Sequence, residues 1–258
     1  TLLMIAAAMG QVQVCNLLLE RGADINFQNN RGYTALMFAA AMNKVEICKL
    51  LLEKGDDVDC QDNKGNTALI YAAEMNKVEV CNLLLTRRIN VNAKNNQKRS
   101  ALMLAAQKGH KKVCELLLKN GADINAIENN GATALTFAAC MGNKEVCEFL
   151  LEKGADINYS NSFSPLIAAI ASSHIDICEF LIDRAANVNV ALEGTGWTPL
   201  MVSSAKGQVE ICQLLLKKGA KLDKKDHKGY TALMHAAWLR NKEVCELLIE
   251  KGADVNAI

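Results

Sequence analysis

Residues 32–40 read Gly32-Tyr33-Thr34-Ala35-Leu36-Met37-Phe38-Ala39-Ala40. The stretch returns as Gly65-Asn66-Thr67-Ala68-Leu69-Ile70-Tyr71-Ala72-Ala73 and as Gly229-Tyr230-Thr231-Ala232-Leu233-Met234-His235-Ala236-Ala237. Its hydroxyl residue falls at Thr1, Thr34, Thr67, Ser100, Thr133, Ser164, Thr198 and Thr231, so there are eight copies on a period of 33 residues, two with loops of altered length. A Thr or Ser just ahead of an Ala-Leu run stands where a helix N-cap belongs, its oxygen accepting an otherwise unpaired N–H. Both prolines, Pro165 and Pro199, follow it directly, at the first helical position, where a missing N–H costs nothing.

The second half of each copy reads like Val45-Glu46-Ile47-Cys48-Lys49-Leu50-Leu51-Leu52-Glu53-Lys54-Gly55. Val45, Cys48, Leu51 and Leu52 mark one apolar face of a short helix. Gly22, Gly55, Gly121, Gly154, Gly219 and Gly252 sit just past that helix, where a left-handed residue ends it. Each copy is therefore helix, tight turn, helix and extended loop. Helices this short are marginal alone, so neighbouring copies must cover their apolar faces, which makes the chain a one-dimensional stack.

The cysteines follow the same ruler. Cys15, Cys48, Cys81, Cys114 and Cys147 are 33 residues apart, Cys178, Cys212 and Cys245 continue the series, and only Cys60 and Cys140 fall outside it. Thiols on successive stacked helices lie about 8–10 Å apart, too far for a disulfide, and a free cysteine behaves as a small buried hydrophobe. No short Cys pair of the zinc-binding kind is present, so no metal is expected. Unpaired thiols point to a reducing compartment, hence an intracellular, cytoplasmic protein. Half of the 258 residues are apolar, yet no run approaches the roughly 20 needed to span a bilayer. A net charge of +1 provides no global attraction for nucleic acid or anionic membranes.

The pattern G-x-T-A-L-x-x-A-A followed by V-C-x-L-L-L-x-x-G-A-D-I-N resembles the ankyrin repeat, and it covers essentially the whole chain. The resemblance implies an all-α solenoid of stacked helix-turn-helix pairs with projecting hairpin-like loops. It also implies partners docked on a concave face built from loop tips and first helices. The expected organisation is one array over residues 1–258, with copies at about 1–29, 30–62, 63–95, 96–128, 129–159, 160–193, 194–226 and 227–258. The first copy begins in mid-repeat and the last looks internal, so the array is expected to be a segment of a longer protein.

Departures from the family pattern carry their own expectations. The usual histidine of its Thr-Pro-Leu-His motif is replaced by Met4, Met37, Ile70, Met103, Thr136, Ile167, Met201 and Met234, which removes a hydrogen bond and is expected to loosen coupling between copies. Arg88 and Ala185 replace the terminating glycine, and Asn90 and Asn187 the following aspartate. Strain is expected at Arg88, with kinks near the third and sixth copies.

Catalytic chemistry is not supported. His110, His174, His227 and His235 share no spacing that gathers them at one site, and none is placed beside a nucleophile with an orienting third group. Gly194-Thr195-Gly196 lacks the rest of a glycine-rich phosphate loop and reads as the tip of an enlarged loop. The Gly-Ala-Asp carboxylates recur once per copy, as architecture does. No cofactor is implied.

Three features bear on binding. The methionines form two columns, one at the former histidine position and one, Met9, Met42, Met75 and Met141, five residues further on. The second column either packs between adjacent helices or lines the groove as an adaptable apolar ridge, with Trp238 and Leu239 taking that place in the last copy. The residue before each capping Thr or Ser is a loop tip: Tyr33, Phe163, Trp197 and Tyr230 are its aromatics, which either anchor a partner or pack on the next loop. A basic cluster, Arg87, Arg88, Lys94, Lys98, Arg99, Lys108, His110, Lys111 and Lys112, is either a solvated face or a contact for an acidic partner or a phosphoinositide head group, less so for nucleic acid. The expected function is a non-catalytic protein–protein interaction scaffold with its partner in the concave groove. The alternatives are a structural or cytoskeletal spacer and the targeting region of a larger enzyme or effector.

Overall fold

A computed structural model describes residues 1–159 and 163–257. Among these the chain forms sixteen α-helices and no strand. It divides into two compact units, Thr1–Asn129 and Asn130–Ile258. The first unit holds α1 (Leu2–Met9), α2 (Val12–Glu20), α3 (Ala35–Ala41), α4 (Val45–Glu53), α5 (Ala68–Glu74), α6 (Val78–Leu85), α7 (Ala101–Gln107) and α8 (Lys111–Lys119). The second holds α9 (Ala134–Cys140), α10 (Lys144–Glu152), α11 (Pro165–Ala171), α12 (Ile175–Asp183), α13 (Pro199–Ala205), α14 (Val209–Lys217), α15 (Ala232–Trp238) and α16 (Lys242–Glu250). Within each unit odd helices pack on odd helices and even on even, and each pair closes on itself.

Local chemistry sets every boundary. All eight capping hydroxyls accept the N–H of the third helical residue, at 3.3–3.4 Å. The Ala-Ala pairs from Ala6-Ala7 to Ala168-Ala169 and most of the cysteine column lie in the core: Cys15, Cys48, Cys81, Cys114, Cys147, Cys178 and Cys212 are buried free thiols, and Cys245 is half-buried. Burial pushes the thiols of Cys48, Cys81, Cys114, Cys147 and Cys178 up to about 12, so they stay protonated and unreactive at neutral pH.

Coupling between copies is supplied from places other than the absent histidine. Met201 and Met234 act only within their own copies, their sulfurs accepting the backbone N–H of Thr198 and Thr231 at 3.4 Å. Between copies, the residue ahead of several second helices reaches back to the first helix of the preceding copy: His110 Nε2 meets the Glu74 carbonyl and His174 Nε2 that of Cys140, both at 3.1 Å. Since a carbonyl only accepts, each Nε2 carries the proton. Gln208 and Asn241 do the same with their amides.

The loops form a ladder. In the Gly-Ala-Asp-Ile-Asn-type segments the last residue accepts a backbone N–H from the next copy at several joints: Asn26 from Asp57, Asn92 from Asp123, Asn158 from Asn187 and Asn189 from Lys221. Asp24, Asp123 and Asp156 close turns onto the N–H two residues on, and Asn90 and Asn187 do so equally well, because an amide oxygen serves a backbone donor as a carboxylate does.

The two departures at the glycine column behave differently. Ala185 keeps the left-handed backbone at φ 67°, beside glycines near 84–92°. Arg88 does not take a positive φ; α6 stops one residue early on Thr86, and the expected strain there is absent. A left-handed L-residue costs about 1–2 kcal/mol, partly offset by the entropy a glycine loses on folding. Ala185→Gly is therefore expected to stabilise the protein by about 0.5–1 kcal/mol, and Arg88→Gly to give no gain. Urea melts of both variants decide this, and equal gains would overturn it.

Asp56 is a second anomaly. It occupies the position of Ala155, Ala186 and Ala253 in the other copies, and both its carboxylate oxygens are buried without a hydrogen-bond partner. Burial first, and the neighbouring charge of Asp57 second, raise its pKa to about 7. The unfolded chain releases that proton near pH 4. Stability from this group therefore falls as pH rises from about 4 to about 7, with the full penalty present above that. Asp56→Ala should raise stability by about 1–3 kcal/mol at pH 8 and by much less at pH 5. A gain that is the same at both pH values, in urea melts, would reject the ionisation argument.

Candidate functional site

Four of the hairpin tips are each pinned by one side chain. Asn29 Oδ1 accepts the N–H groups of Arg31 and Tyr33, Asp62 Oδ1 those of Lys64 and Asn66, Asn95 Oδ1 those of Gln97 and Arg99, and Asp226 Oδ1 those of Lys228 and Tyr230. The tips are stitched sideways too: Asn63 N–H donates to Arg31 O, Asn96 N–H to Lys64 O, and His227 N–H to Thr195 O. In the enlarged loop Thr195 Oγ1 takes the Trp197 N–H, and Gly196, at φ 75°, lies where a Cβ would approach His227 to 2.6 Å.

The second oxygen of the pinning residue decides what the first helix must carry nine residues on. Asp62 Oδ2 accepts from the Tyr71 hydroxyl, and Asp226 Oδ2 lies 2.9 Å from His235 Nε2. Where the pinning residue is Asn29 or Asn95, the matching helix positions are Phe38 and Leu104, which have nothing to donate. At both of these tips the helix supplies a donor to the buried carboxylate, which offsets part of the cost of burying it. At Asp226 burial works to raise the pKa, but the N–H groups of Tyr230 and Lys228 and the His235 bond outweigh it, and the carboxyl lies below its ordinary value. Burial, then the Asp62 bond, hold the Tyr71 hydroxyl well above the usual tyrosine range.

These pins orient two aromatic clefts in the same register. In the first unit the Tyr33 ring stands 5.4 Å from Phe38 and 5.7 Å from Tyr71, beside Met42 and Met75, in an open cleft of about 710 Å³. In the second unit Trp197 stands 4.3 Å from His235, and Tyr230 5.8 Å from it. Trp238 and Leu239 complete a cleft of about 560 Å³. Trp238, 78% exposed, is the most open large apolar side chain among the described residues; Leu239 is 51% and Tyr230 40% exposed.

The sequence-derived candidates are thus sorted. Tyr33, Met42 and Met75 come together in the first cleft, and Trp197, Tyr230, Trp238 and Leu239 in the second. Met141 is exposed at the end of α9 and Phe163 half-buried, and neither lines these clefts. The second methionine column faces solvent, whereas Met4, Met37, Met103 and Met201 of the first are core. By register Leu239 continues the exposed column, and Trp238 stands with Ala41, Glu74 and Cys140 instead. The basic residues of 87–112 are spread over a loop, a helix end and α8, with His110 and Lys94 engaged by carbonyls. Tyr71 and His235 were missed as site residues; the recurring spacing of nine from Asp62 and Asp226 is the signal that marks them.

Models of ankyrin repeats in three copies match residues 3–95, 87–161 and 166–258, and a model of ankyrin repeats in many copies matches residues 141–182. The chain belongs to the ankyrin repeat family. Ankyrin repeats are protein–protein interaction modules, typically without catalytic activity of their own. No curated protein matches the chain. None of the described helices is long and apolar enough to cross a membrane.

The pairing rule is open to a double-mutant cycle. His235→Phe strands Asp226 Oδ2 and is expected to cost about 1–3 kcal/mol. Adding Asp226→Asn, which reproduces the Asn29–Phe38 pair of the second copy, should recover at least half of that loss. Strictly additive losses in urea melts would show the two residues to be uncoupled.

Proposed function

We propose that this ankyrin repeat chain is a non-catalytic scaffold that holds a protein partner against the face made by its loop tips and first helices. Its main anchor is the cleft of the second unit. The observation that carries this is Trp238: a large ring left 78% exposed beside Trp197 and Tyr230, around a cavity of about 560 Å³. Exposed apolar groups gathered on one face mark interaction sites, and tryptophan and tyrosine dominate binding energy because they bury much area at small entropic cost. The Tyr33, Met42 and Met75 cleft provides a second contact of the same design. The buried thiol column suits a reducing, intracellular setting.

The second helices, on the opposite side of the pairs, carry exposed charged residues such as Lys49 and Glu115. Lys49 is exposed and paired with Glu46 at 2.8 Å on α4, an arrangement worth little to stability or binding. Immobilised wild-type protein and four variants, exposed to the same native lysate and compared by quantitative mass spectrometry, test the reading. Trp197→Ala and Trp238→Ala should deplete the captured partners by tenfold or more, about 1.4 kcal/mol at the least, with unchanged circular dichroism. Lys49→Ala and Glu115→Ala should leave capture as it is. Depletion by the latter pair with none by the tryptophan changes would place the docking face elsewhere.

A further inference from the structure

The second-unit cleft is aromatic on its walls and cationic at its rim. Asp226 lies at its floor but offers nothing to a guest: Oδ1 takes two backbone N–H groups, Oδ2 faces His235, and the side chain is 1% exposed. The other charged side chain lining the cleft is that of Lys228, which is exposed and enters no ion pair among the described residues. It closes a segment, residues 217–228, that carries six lysines against two aspartates. Some of this charge is already engaged, with Lys218 on Asp183 and Lys224 on the Asn189 carbonyl. The first-unit cleft repeats the arrangement, for Arg31 lines it and stands three residues before the capping Thr34, as Lys228 stands before Thr231. Two clefts in the same register thus set aromatic rings beside one cation at the tip.

We infer that the second-unit cleft recognises an acidic segment of a partner protein, seating one large aromatic or aliphatic side chain against Trp238 and Trp197 while flanking carboxylates meet Lys228 and the lysine-rich loop. This rests on the docking role proposed for the face and adds the partner's chemistry. A cationic guest would need a carboxylate turned into the cleft, and Asp226 is turned away into the fold. A neutral apolar guest would leave the rim charge unanswered, whereas complementary charge sets orientation and association rate.

The test uses fluorescein-labelled synthetic peptides titrated against the whole chain by anisotropy. One carries a single tryptophan among glutamate and serine, the second the same tryptophan among lysine and serine, and the third alanine in place of tryptophan among glutamate and serine. The acidic tryptophan peptide should bind at least roughly tenfold more tightly than either of the others, and lose affinity at least about fivefold between about 50 mM and about 300 mM salt. Trp238→Ala should weaken it roughly tenfold or more, and Lys228→Glu about fivefold or more while improving the lysine peptide. Lys228 joins the fold through its backbone N–H, so its side-chain change leaves the tip intact. Equal or tighter binding of the lysine peptide overturns the inference, as does acidic binding indifferent to both variants or no binding by any peptide. If lysate capture still depends on Trp238 in those cases, the docking role of the face survives and only the acidic identity of the guest fails.

Discussion

No helix here is long enough to persist without the one stacked against it. The first helix of each copy spans seven or eight residues and the second eight or nine, where isolated helices need roughly 12–15 to be even marginal in water. Folding is therefore a property of neighbours, and every position is judged by what it offers the adjacent copy. Leu36, Ile47, Cys48 and Leu51 offer apolar surface, Asn26 and Asn92 an oxygen for the next loop, and His110 and His174 a donor for the preceding helix end. At the joints where these bonds form, they span the copies without the family histidine.

The same constraint builds the clefts. Tyr230 finds its place because the buried Asp226 holds the turn beneath it, and the ring it rests on, His235, is the one that answers that Asp. In the second unit Trp197 and Tyr230 both lean on His235, whose Nε2 is tied to Asp226. Rings held by a satisfied buried pair lose little freedom when a partner arrives, and preorganisation of this kind raises affinity by lowering what binding must order.

Periodicity made much of the fold legible in the residues themselves. The capping hydroxyls, the cysteine column and the glycine column each recur often enough to state a physical role, and the helices begin and end where those roles put them. What periodicity hides is exchange between columns. Asp62 with Tyr71 and Asp226 with His235 look like unrelated surface residues until the loop folds back onto its helix; the spacing of nine was present in the chain but has meaning only across the turn. Arg88 and Ala185 show the opposite limit. Both replace the same glycine, yet Ala185 keeps the left-handed geometry while the chain at Arg88 ends its helix one residue sooner. A short side chain tolerates the strained backbone that a neighbouring packed alanine demands, whereas an exposed loop is free to relax around a long one. The division into two compact units falls at the junction of the fourth and fifth copies, four helix pairs to each.

Function in such a molecule is written where stacking asks for nothing. Trp197 serves two masters, since its ring packs on His235 and is only partly open. Trp238 does not. Its column holds Ala41, Glu74, Cys140 and Ala205 elsewhere in the chain, residues with no common size or polarity, so the helix pair places no demand on that side chain. An indole left mostly in water adds nothing to a core it does not enter and raises the hazard of unwanted association. The tolerance of the column explains why a tryptophan fits there. Its exposure beside two further aromatic rings and the cation of Lys228 is the feature on which the proposed docking role rests.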